Sequence, residues 1–174
     1  MQEWWLRTLL VLQAPRPVFV ALRDDTAPAA ADRAEPVLLI VALAGMALAF
    51  ASGASGSYDG LLLAVWVFLA GSITGAAAYW FFGALLYGSA RALGSAGSYR
   101  RARHVLAFAS VPMALSLVLS PTGRDAFAWI VLAFVAWSAL LLVIGVRAVH
   151  GWSWARAAAA AALPVAAAAG LLAI

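Results

Sequence analysis

The chain has no cysteine, so disulfides, thiol chemistry and cysteine-based metal or redox centres are excluded. It has no lysine either; all eleven of its basic residues are arginine. Charge of both signs is scarce. Only 10% of the 174 residues are Asp, Glu, Lys or Arg, against about a quarter in an ordinary soluble domain. A chain so poor in charge cannot cover a water-facing surface. With 66% apolar residues, it needs a bilayer as its solvent. The reliance on arginine and the abundance of alanine look like the product of a GC-rich genome, and the expected setting is a bacterial inner membrane.

Long apolar runs predict an all-α, polytopic integral membrane protein. Residues 1–35 form a polar N-terminal segment and 36–174 a five-span bundle, with spans at about 37–54, 61–87, 105–120, 127–146 and 157–174. Within the first segment Trp4, Trp5, Leu9 and Leu12 recur at helical spacing. Pro15 and Pro17 follow with no small-residue cleavage site before them, so an interfacial amphipathic helix is expected rather than a signal peptide. Trp4 and Trp5 are its predicted anchors at headgroup depth. Pro36 suits the first turn of the first span. A Gly/Ser turn at 52–57 closes that span. Pro112 and Pro164 are expected to break the third and fifth spans, and the alanine-rich fifth is the least strongly hydrophobic.

Ten arginines fall before the first span, between the second and third, or around the end of the fourth; Arg124 alone falls on the other side. That asymmetry places the N-terminus in the cytoplasm and, after five spans, the C-terminus outside. It also explains the sequence pI of about 10.3 without nucleic acid as a partner.

No charged residue lies in the middle of a predicted span, which counts against an ion pump or proton-coupled transporter. His104 and His150 lie where helices meet the basic side, and no carboxylate or cysteine is close to either in sequence. Asp59 and Asp125 read as turn and cap residues. Ser110 and Ser116 have no base in view. No catalytic, cofactor-binding or metal site is predicted. Gly71 and Gly75, like Gly45, Ala49 and Gly53, have the small-xxx-small spacing that lets helices approach closely, within the bundle or in a homo-oligomer. The loop from Arg91 to His104 carries Arg91, Tyr99, Arg100, Arg101 and Arg103. It reads as topogenic charge or as a docking site for an acidic partner or a lipid headgroup.

The segment Trp4…Ala14-Pro15-Arg16-Pro17-Val18-Phe19…Leu22, the long aromatic second span, and Gly94-Ser95-Ala96-Gly97-Ser98-Tyr99-Arg100 leading to Ala107-Phe108-Ala109-Ser110-Val111-Pro112 together resemble the Yip1 family over nearly the whole chain. The resemblance implies five spans and a cytoplasmic N-terminus; with no catalytic constellation in view, no enzymatic activity is expected. Eukaryotic members are adaptors that bind small GTPases and sibling proteins; their Asp-Leu-Tyr-Gly-Pro motif does not occur here. The expected role is a membrane scaffold or adaptor that recruits a partner protein or shapes the bilayer. The alternative is an accessory transporter subunit or a translocator of lipid or small solutes.

Overall fold

The computed structural model describes residues 2–52, 59–122 and 124–172. Three short helices lead in: α1 (Gln2–Leu10), α2 (Pro15–Ala21) and α3 (Ala27–Asp32). They are followed by α4 (Ala34–Ala51), α5 (Gly60–Ala92), α6 (Tyr99–Ala109), α7 (Val111–Ser116) with a 3-10 turn at Leu117–Thr122, α8 (Arg124–His150) and α9 (Trp154–Leu172). No strand occurs among the described residues. Five stretches are long and apolar enough to cross a membrane: α4, α5, α6 with α7 (Tyr99–Leu119), Trp129–His150 of α8, and Trp154–Leu171 of α9. The chain is therefore a five-span, all-α membrane protein. The Gly/Ser turn expected at 52–57 lies, except for Ser52, outside the described residues.

Burial divides the spans unequally. The short third span is 56% buried and forms the centre of the bundle, whereas the second is 11% buried. Leu61, Leu62, Val65, Phe68, Leu69 and Ile73 on α5 are all exposed, as a lipid-facing surface requires. At 33 residues α5 is about 50 Å long, well beyond an apolar layer of about 30 Å. Its last turns therefore project. Gly94, at φ +83°, ends it: Ser95 N–H reaches Ala90 O and Gly94 N–H reaches Arg91 O, the two bonds of a Schellman cap.

Glycine sets the closest helix crossing. A Cβ at Gly45 would lie 2.1 Å from Gly71 O, and one at Gly75 would lie 2.3 Å from Val41 O. Helices α4 and α5 thus meet backbone to backbone inside one chain, where dispersion between close-packed atoms replaces the hydrophobic effect that lipid cannot supply.

The two prolines behave differently. Pro112 lies in the first turn of α7, which a break at Ser110 separates from α6. By contrast, α9 runs unbroken through Pro164. Proline removes the N–H that would have bonded Ala160 O, four residues earlier. Ser89 Oγ of α5 donates to that carbonyl at 2.6 Å. The neighbouring helix thus supplies the missing donor, which is how membrane helices tolerate proline.

Gly45→Leu or Gly71→Leu should force α4 and α5 apart and lower the melting temperature in detergent by several degrees. Ser89→Ala should cost about 1 kcal/mol, and most of that loss should disappear in a Pro164→Ala background, where the carbonyl regains a helical donor. A double-mutant cycle by thermal unfolding reads this directly.

Candidate functional site

The polar chemistry is concentrated at one end of the bundle, where the N-terminal segment, the α5–α6 loop and the α8–α9 turn meet. The segment is first placed by apolar packing. Trp4 is buried against Phe108, with ring centroids 5.5 Å apart. Phe19 and Leu22 are fully buried. Phe19 fills a notch on α8 that exists because residue 145 is glycine: a Cβ there would come within 2.8 Å of its ring. The Pro-Arg-Pro-Val-Phe stretch is therefore a docking helix, started by its prolines and held by its phenylalanine.

Hydrogen bonds then fix the exit from this helix. The Arg23 guanidinium donates to Ala148 O at 2.7 Å and to Val149 O at 3.1 Å. These carbonyls belong to the last turn of α8, the negative end of its dipole. The Arg23 carbonyl in turn accepts from Arg101 at 2.8 Å. Asp24 caps the next turn by accepting from Thr26 N–H and Oγ1. That bonding to Thr26 lowers its pKa.

Asp25 is the centre of the arrangement. Its Oδ1 accepts from Arg100 Nε at 2.9 Å and from Arg33 Nη2 at 3.2 Å, and its Oδ2 accepts from the Ser98 hydroxyl. Arg33 is fully buried, the largest such side chain described. It also donates to Asp24 O at 2.8 Å and to His104 Nδ1 at 2.7 Å. As the acceptor, His104 carries its ring proton on Nε2. Ser98 also caps α6, its oxygen accepting from Arg101 N–H at 3.0 Å. Burial raises the Asp25 carboxyl, but the bonds from Ser98 and Arg100 and the charges of Arg100 and Arg101 outweigh it, so its pKa lies below the ordinary 3.8. Burial lowers the pKa of the Arg33 guanidinium, and the Asp25 charge opposes that.

The structure divides the five loop residues singled out from sequence into two groups. Arg100 and Arg101 clasp the N-terminal segment. Arg91, Tyr99 and Arg103 lie against the aromatic face of α5. The Arg103 guanidinium is 3.6 Å from the Trp80 ring centre, 4.7 Å from Tyr99 and 5.0 Å from Tyr79. Gly83 leaves room for its stem, since a Cβ there would be 2.3 Å from Arg103 Cγ. Tyr99 donates to Trp80 O at 2.7 Å, and Arg91 lies over Tyr87 at 5.8 Å. Of the two N-terminal tryptophans, Trp4 turns into the bundle and Trp5 stays half-exposed, while Leu6, Leu9 and Leu10 face outward.

Sequence reading passed over Asp25, Arg33 and Ser98. One signal was available: Asp24-Asp25 is the only acidic pair in a chain with seven carboxylates. Among the described residues no group of three His, Cys, Asp or Glu could hold a metal.

These features define a multi-pass helical membrane protein whose polar groups fasten an N-terminal segment to one end of its bundle. Residues 9–174 match the Yip1 domain, and the chain belongs to the Yip1 family. No curated protein and no solved structure matches it.

Asp25→Asn should leave the buried Arg33 without its counter-ion and cost about 3 kcal/mol. Trypsin should then cut after Arg23 and Arg33, sites that should stay protected in the wild type. Because the docked carboxyl titrates below its free value, its contribution is complete above about pH 4 and is lost as pH falls through the lowered pKa. Acid should release the wild-type segment and change the Asp25→Asn variant little.

Proposed function

We propose that this protein is a non-enzymatic, Yip1-type membrane scaffold, located in a bacterial inner membrane with its arginine-rich end in the cytoplasm. The Asp25 network carries this reading. A buried ion pair, a serine bridge and a histidine acceptor hold a segment that crosses no membrane. Such an arrangement makes a rigid cytoplasmic platform, built from the N-terminal segment and the loop from Arg91 to Arg103, on which a second protein can rest. Trp5 and the outward leucines of α1 supply an interfacial anchor beside it. The ten-to-one arginine bias supports the orientation.

A second reading, an accessory transporter subunit or a translocator, draws support from the interruption of the most buried span between Ala109 and Val111. The glycine-tight contact of α4 with α5 closes one route through the bundle to any solute.

Orientation is tested against a cysteine-free background. Ala96→Cys should react with a membrane-impermeant maleimide only after the cells are permeabilised, whereas Asp59→Cys should react in intact cells; the reverse pattern would invert the topology. The scaffold reading is tested by crosslinking in native membranes. Partners recovered with the wild type should be lost with Asp25→Asn, whose platform is undone. An unchanged partner set, or solute flux through proteoliposomes containing the protein alone, would favour the second reading.

A further inference from the structure

Beside the Asp25 network, and separate from it, a cavity of about 320 Å³ opens between the N-terminal segment, the end of α8 and the start of α9. Its walls include Arg16, Arg23, Arg147, Ile144, Trp152 and Trp154, and no carboxylate lines it. Three guanidinium groups from two separate segments thus share one space without a carboxylate, Arg23 already donating to Ala148 O and Val149 O, whereas several arginines elsewhere have a carboxylate or carbonyl of their own. Arg7 has Glu3, Arg33 and Arg100 share Asp25, and Arg156 caps Leu93 O. In the cavity, Arg147 lies 4.4 Å from the Trp154 ring centre and its buried Nε has no hydrogen-bond partner. Arg16 is exposed, with no hydrogen bond or ion pair among the described residues.

We propose that this cavity binds the phosphate of an anionic membrane phospholipid. Guanidinium groups match phosphate oxygens in geometry as well as charge, and the exposed Arg16 guanidinium has no partner among the described residues to give up. The surroundings favour a lipid over a free anion. Trp152 and Trp154 have the character of residues at headgroup depth. From Ile144, the apolar wall, Leu140 and Trp137 continue along the same face of α8, exposed by 57% and 40%. That stripe is where an acyl chain would run from a headgroup held at the arginines. Because Arg16 and Arg23 belong to the docked segment and Arg147 to the bundle, a bound lipid would also fasten one to the other. The lipid site does not depend on the scaffold reading.

The test uses the full chain in detergent, with bound lipid counted by native mass spectrometry. Phosphatidylglycerol should bind about tenfold more tightly than phosphatidylcholine, the effect of one charge-assisted bond. Arg16→Gln together with Arg147→Gln should remove the preference. Arg7→Gln, the same loss of charge outside the cavity, should preserve it. Arg16→Gln alone loses no internal contact, guards against a misfolded double variant and should cost about threefold. The site is overturned if both the single and the double variant keep the wild-type preference, or if Arg7→Gln removes it equally. Inorganic phosphate, at fixed ionic strength, is the second arm. If it raises the melting temperature while phosphatidylglycerol binds no better than phosphatidylcholine, the ligand is a free anion and the lipid assignment fails.

Discussion

A buried guanidinium needs a counter-charge, and in this chain Arg33 has Asp25. Taking an arginine out of water is costly unless an anion and further acceptors surround it. Asp25, the Asp24 carbonyl and His104 Nδ1 together meet that need. To reach Arg33, the turn after α2 must fold back against the start of α4 and the α5–α6 loop. That path carries Phe19 into the α8 notch and Arg23 onto the last carbonyls of α8. With the contacts this path brings, the lead-in segment is tied to three of the five spans, α4, α6 and α8. The remaining contacts of that end are arranged around it.

Within the spans, shape governs more than charge. Helices in lipid gain little from burying apolar surface, so contact must come from close approach or from hydrogen bonds. Gly45, Gly71 and Gly75 provide the first, and Ser89 donating to the carbonyl freed by Pro164 provides the second. The same logic operates at Gly83 and Gly145, where a missing Cβ admits Arg103 and Phe19. These missing side chains help to specify which helix meets which.

Hydrophobic runs and the distribution of eleven arginines were enough to read five spans from the sequence, because both properties act locally along the chain. Span length and prominence were less legible. The short, proline-containing third span is the most enclosed, since a central helix is covered by neighbours and needs no long lipid-facing surface of its own. The effect of Pro164 was not legible, because its remedy comes from Ser89, far earlier in the chain. The arginine loop was visible as a patch of charge. That Arg100 and Arg101 turn toward the lead-in segment, while Arg103 turns into an aromatic recess, depends on contacts distant in sequence. Arg33 and Arg147 look alike as topogenic charges. Only the fold shows that one is buried against Asp25 and that the other lines a cavity with no acid in it.

Attachment of the lead-in segment is the central claim, and it links the ion pair to the platform reading. Hydrogen exchange at the backbone amides of residues 23–33, measured in lipid nanodiscs at neutral pH, tests it most directly. The expected result is protection approaching that of the spans, since this segment opens only when Arg33 loses Asp25. Exchange at the rate of an unstructured chain would contradict that attachment.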